Sequence, residues 1–104
     1  MFKVDHSGNL SLGKRTLDNG SSAAVFFVSK DGALTINGTA FSVTPTGDLS
    51  SGGGLFNVSA EGAMWSGNSD FSKANFSVTN TGDMYSTGAE MNNATVTGTL
   101  TVNS

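Results

Sequence analysis

A nine-residue phrase occurs five times in this chain and restricts its fold more than any other feature. FKVDHSGNL (2–10), FFVSKDGAL (26–34), FSVTPTGDL (41–49), FNVSAEGAM (56–64) and FSVTNTGDM (76–84) share one pattern: Phe, any residue, Val, a turn closing on Gly, any residue, then Leu or Met. A fixed phrase repeated along a chain is the mark of stacked supersecondary units. Phe and Val two residues apart place both side chains on one face of a β-strand, because the strand period is two. Lys3, Phe27, Ser42, Asn57 and Ser77 then point the other way, and Phe27 alone breaks an otherwise polar set. The glycines Gly8, Gly32, Gly47, Gly62 and Gly82 supply a positive φ or a close backbone approach at the end of a tight turn, and Leu or Met opens the return strand. His6, Lys30, Ala60 and Asn80 stand where the third copy has Pro45, so proline suits the turn without being required there.

Successive copies begin at 2, 26, 41, 56 and 76, and a second glycine follows the turn glycine at 13, 38, 52, 67 and 88. One unit therefore reads as strand, turn, short strand and glycine-marked loop. The extra length of the first and fourth intervals falls in residues 13–25 and 67–75. Longer loops add only about 0.6 kcal/mol of closure entropy per doubling, so these excursions are expected to bulge outward and leave the strand register intact. Residues 1–90 thus form a fibrous β-repeat segment. Residues 91–104 differ in texture: Val96, Leu100 and Val102 alternate among threonines, as in a terminal strand or a connection to a further region.

Composition decides how such units can be stable. Only 37 % of the 104 residues are hydrophobic and 12 % charged, with 14 glycines and one proline. A two-stranded unit with one apolar face does not stand alone in water, and the backbone of each ordered residue loses about 1–2 kcal/mol of conformational free energy. Burial must come from stacked units or from other chains. A monomeric solenoid is the competing solution, but a fifteen-residue unit with one short apolar strand pair is thin for a coil of several faces. The expected fold class is all-β, an elongated intertwined homotrimer of short strand-turn-strand repeats. Its core would be Phe2, Val4 and Leu10; Phe26, Val28 and Leu34; Phe41, Val43 and Leu49; Phe56, Val58 and Met64; and Phe76, Val78 and Met84.

The repeat logic, with the Ser/Thr/Asn/Gly-rich texture of FSVTPTGDL and FNVSAEGAM and the closing TVTGTLTV, resembles the triple β-spiral shafts of viral fibres. It is similar in particular to bacteriophage tail-fibre and related baseplate or head-fibre proteins. The resemblance runs from Phe2 to Val102. It implies a triple β-spiral or related trimeric β-fibre in which positions such as Phe41, Val43 and Leu49 face the three-fold axis and Gly47 sits at the outer bend. It further implies a non-enzymatic virion component made in the host cytoplasm, with itself and other tail, baseplate or head-fibre proteins as partners. Such a segment spaces or anchors a host-recognition apparatus. The intervals of 24 and 20 residues depart from a regular spiral and leave room for locally different trimeric β-structure.

Few function classes outside structure and attachment find support. The net charge is −3 and the five basic residues are scattered, so no stripe exists for a phosphate backbone and nucleic acid is not an expected partner. Cysteine is absent, which removes disulfides and thiolate chemistry. The longest apolar run, AAVFFV at 23–28, is far short of a membrane span, and Met1 is followed almost at once by strand pattern rather than a secretory signal. His6, the single histidine, lies in the first turn, where a solvated role is expected over a metal ligand. Asp31, Asp48, Glu61 and Asp83 recur because the turn recurs, and no partner completes a pair of catalytic carboxylates. No catalytic, cofactor or metal residue is therefore expected. Trp65 and Tyr85, each directly after a methionine, and Phe71 in the longer loop are the candidates for a surface contact with another virion component or a host receptor or glycan. A receptor- or glycan-binding module is accordingly the alternative reading, and an enzymatic spike a more distant one.

Overall fold

The computed structural model describes residues 2–103; Met1 and Ser104, the outermost residues of the two expected segments, lie outside the described residues. Every copy of the phrase forms a hairpin of two three-residue strands. The first strands of the hairpins are β1 (Phe2–Val4), β5 (Phe26–Val28), β7 (Phe41–Val43), β9 (Phe56–Val58) and β11 (Phe76–Val78). The return strands are β2 (Leu10–Leu12), β6 (Leu34–Ile36), β8 (Leu49–Ser51), β10 (Met64–Ser66) and β12 (Met84–Ser86). All ten join in chain order into one antiparallel meander. Ten strands at about 4.8 Å spacing make a ladder roughly 43 Å wide, while three residues at about 3.3 Å make it only about 10 Å deep. The molecule measures 59 × 27 × 24 Å, so its long axis runs across the strands.

The turns explain why the register repeats. In each hairpin the turn glycine donates its N–H to the carbonyl three residues back, as in Gly47 N to Thr44 O at 3.0 Å. All five glycines have φ between 93° and 101°, a region closed to most side chains. This is a three-residue hairpin loop in which the glycine makes the bulge. Each loop opens on a side-chain oxygen, from Asp5, Ser29, Thr44, Ser59 or Thr79. That oxygen accepts the N–H of the residue after the glycine at 3.0 or 3.1 Å. The donor that the bulge would leave open is thereby satisfied.

Two expectations about the connections need correction. Residues 13–25 are not simply a loop: Arg15–Thr16 (β3) and Ser22–Ala23 (β4) pair as a separate antiparallel hairpin. Residues 67–75 contain a 3₁₀ turn, Phe71–Lys73, capped by Asp70, whose carboxylate accepts from the Ser72 backbone N–H at 3.0 Å. Register survives both excursions, since Leu12 pairs with Phe26 and Ser66 with Phe76. Residues 91–103 form no strand and lie exposed: the alternation of Val96, Leu100 and Val102 has no pairing partner among the described residues.

Candidate functional site

The strand register sorts the side chains into two faces. Phe2, Val4, Leu10, Phe26, Val28, Leu34, Phe41, Val43, Leu49, Phe56, Val58, Met64, Phe76, Val78 and Met84 occupy alternate positions of paired strands and share one face. Leu12 and Ile36 belong to it too, opposite Phe2, Phe26 and Phe41. The three later units carry Ser51, Ser66 and Ser86 at the corresponding places, so the apolar surface is two residues deep at the N-terminal end and thins along the chain.

This face is not buried within the chain. Phe56 is 42 % and Phe76 38 % exposed, while their polar neighbours on the opposite face, Asn57 and Ser77, are only 9 % and 6 % exposed. Among the described residues Ala74 is the one buried hydrophobic residue. At these two strands burial is thus inverted relative to an ordinary domain, which covers its apolar side chains first, while from Phe26 to Leu49 the apolar face is half-buried. Exposed apolar strips of this kind are the surface feature that interaction faces share.

The opposite face carries Lys3, Ser11, Phe27, Thr35, Ser42, Ser50, Asn57, Trp65, Ser77 and Tyr85. Its two covered places are where the intervals are longest. The β3–β4 hairpin bounds a cavity with Phe27, and the 67–75 connection brings Phe71 edge-on to Trp65, with ring centroids 5.4 Å apart and planes at 81°. The indole N–H of Trp65 donates to the Ser69 carbonyl at 3.3 Å. Asn57 donates to the Gly54 carbonyl at 2.9 Å. Tyr85, on the same row beyond Ser77, has no cover and is 59 % exposed. Trp65 and Phe71 therefore come together, and Tyr85 stands apart from that contact.

The carboxylates belong to the turn edges. Asp48 accepts from the Ala60 N–H of the next turn at 2.8 Å, and this bond, with the Thr46 and Thr44 hydroxyls, holds its carboxyl below the ordinary carboxylate range. Asn9 forms the equivalent link between the first two hairpins, accepting from the Lys30 N–H at 2.8 Å. Asp5 is lowered by the backbone and side-chain N–H groups of Asn9, and Asp70 by the Ser72 hydroxyl and N–H. Asp31 forms an exposed ion pair with its neighbour Lys30. His6 is exposed on the first turn, and no three His, Asp or Glu side chains converge among the described residues. Comparison with protein-family models, with curated proteins and with solved structures finds no match to this chain.

Proposed function

We propose that the chain is a structural segment of a virion fibre, in which three copies turn their apolar faces toward a common axis and the assembly supplies reach and attachment rather than chemistry. The observation that carries this reading is a ribbon of ten short strands whose Phe, Val, Leu and Met side chains share one face and are nowhere fully buried, exposed toward its ends and half-buried in its middle. Sheets pack face to face at about 10 Å, and apolar burial at roughly 25 cal/mol per Å² drives them together. Two ribbons only three residues deep would leave this face wet along both long margins, whereas three ribbons wall it in. The long axis of each ribbon then becomes the axis of the fibre, with the turns along its edges.

The virion assignment rests on the resemblance of the repeats to phage fibre segments, and with it the external location and the tail, baseplate or head-fibre partners. A second reading, attachment to a receptor or glycan, is favoured by one feature: Tyr85 stands exposed on the outward row beyond the Trp65–Phe71 pair.

Mass measurement in solution by sedimentation or light scattering, followed by electron microscopy, tests the assembly. An elongated particle of three chains is expected. A stable monomer would overturn the proposal, and a stable dimer would overturn its three-fold form. Binding of the isolated assembly to host cells, lost on Tyr85→Ser with the trimer intact, would move the function from spacing to recognition.

A further inference from the structure

Residues 92–100, NNATVTGTL, align with FSVTPTGDL without a gap. Thr95 falls on the residue whose side-chain oxygen opens every turn, Gly98 on the turn glycine and Leu100 on the start of the return strand. Leu100, Thr101 and Val102 then repeat the order of Leu34, Thr35 and Ile36. The departure lies in the first strand, where Asn92 and Ala94 stand in place of Phe and Val. We propose that residues 92–102 are a sixth hairpin whose seat is the open edge of β12 in the same chain, and that it closes there when other copies cover the apolar face.

The fifth hairpin has a place for it. β12 is the last strand of the sheet, with Met84 65 % and Tyr85 59 % exposed. At earlier turns the fifth residue of the next copy lies against the turn glycine. A Cβ at Gly8 would stand 3.4 Å from that of Lys30, one at Gly47 3.6 Å from that of Ala60, and one at Gly62 3.7 Å from that of Asn80. Gly82 has nothing within 4 Å, and Val96 is the residue that would fill the place. Asp48 accepts both a threonine hydroxyl and the Ala60 N–H of the next turn. Asp83 has the hydroxyl, from Thr81 at 3.4 Å, but no N–H from a following turn among the described residues. A sixth hairpin brings the Val96 N–H to it.

The connection is of the right length. Five residues, 87–91, would join β12 to the new strand, where four join β6 to β7 and β8 to β9. The register of β8 on β9, carried to β12, sets Met84 opposite Ala94 and Ser86 opposite Asn92, and places Leu100 and Val102 on the apolar face. An open strand edge is a template for any further strand, but a segment tethered by so short a link is present at high effective concentration and takes the edge ahead of another copy.

The missing anchors explain why the single chain leaves this hairpin open. Asn92 and Ala94 bury little apolar surface, and a hairpin with one apolar strand is not stable by itself; Gly98 accordingly lacks the positive φ of the five turn glycines. Copies that cover the face add burial of Leu100 and Val102. This closing step rests on the assembly proposed above.

The test is hydrogen exchange of the full ¹⁵N-labelled chain, with the mass of the same sample measured by sedimentation. In the trimer the Gly98 and Thr99 amides, which copy the Gly47 and Asp48 donors, should exchange about tenfold or more slowly than free coil. So should Met84 and Ser86. The Thr79–Asp83 and Asn75–Thr87 bonds flank β12, and antiparallel alternation turns these two N–H groups to the open edge. Gly98→Val should free all four amides and leave those of residues 41–49 unchanged. A trimer in which Gly98 and Thr99 exchange as free coil would overturn the sixth hairpin and leave the assembly standing. Protection of Met84 and Ser86 alone would overturn it too, giving the edge to a strand of another copy. A monomeric wild type would remove the assembly, and the double variant Asn92→Phe with Ala94→Val then decides: restored anchors should protect Gly98 and Thr99 in the single chain, and their failure to do so would sink the hairpin.

Discussion

The two faces of the ribbon are made by the same strands and differ in what covers them. On one, Phe, Val, Leu and Met are exposed toward the ends of the ribbon and half-buried in its middle; on the other, serines and an asparagine are half-buried or buried, and the long connections fold down over Phe27 and Trp65. The chain places both of its insertions on the polar face and none on the apolar one. A chain that had to be stable alone would cover its apolar side chains first, because burial of each contributes about 1.5–3 kcal/mol. Contacts within the chain thus cover parts of the polar face and leave the apolar one without a covering element.

The strongest way to break this contrast is to exchange the character of adjacent residues. Val43→Asp puts a charge on the apolar face, and in a trimer three such charges meet in one layer without partners, a severe desolvation penalty. Ser42→Asp puts the same charge on the other face. Sedimentation should find Val43→Asp dissociated or misassembled and Ser42→Asp indistinguishable from wild type. Equal behaviour of the two would refute the inward and outward assignments.

A smaller effect separates the covered aromatics from the uncovered one. Phe71→Ala removes the edge contact to Trp65, which should cost about 0.5–1.5 kcal/mol and shift the indole emission to the red. Tyr85→Ala should change stability by less than about 0.5 kcal/mol, as expected of a surface substitution without partners. If thermal melts of the assembly show the Tyr85 variant losing as much as the Phe71 variant, the third aromatic is covered by a neighbouring chain.

The strands and faces were legible in the sequence because period two leaves little choice. Phe-x-Val and the return Leu or Met fall in strands in all five copies, and the turn glycines have positive φ throughout. Leu12 and Ile36 could have been read by extending that period two residues further. The oxygen-bearing residue that opens every turn, from Asp5 to Thr79, also stands in the aligned copies as a column of Asp, Ser and Thr. Its meaning becomes visible only when the hydrogen bond to the residue after glycine is seen. The insertions were not legible. Their strands are two residues long, too short for a period, and Phe27 reads as an anomaly until the hairpin carrying Arg15 is placed above it. The alternation in 91–103 was a true pattern without a partner strand, and pairing rather than pattern makes a strand.

The faces stay apart only while register holds, since a slip of one residue exchanges them. Thr44→Val keeps the shape of the turn and removes the oxygen that receives the Asp48 N–H. A loss of about 0.5–1.5 kcal/mol is expected, with the hairpin amides of residues 41–49 exchanging faster than those of the neighbouring unit. Unchanged exchange would mean that the glycine alone sets the register.

The smallest effect is a matter of pH, and it pits two turns against each other. Asp48 and Asn9 make the same link to the following turn, to the N–H groups of Ala60 and Lys30, but only the first is ionisable. Because the Asp48 carboxyl titrates below its ordinary value of 3.8 in the folded chain, the unfolded chain binds its proton first as acid is added. The stabilisation is therefore fully present above the unfolded pKa and is lost as pH falls through the lower folded one. The amide of Ala60 should follow that titration, with its midpoint below 3.8. Asp48→Asn copies the residue that the first unit uses, so the link should persist while its acid response disappears. An Ala60 amide that still titrates in the variant would place the proton on another group, and one that is already displaced at neutral pH would show that the charge, not the carbonyl oxygen, holds the turns together.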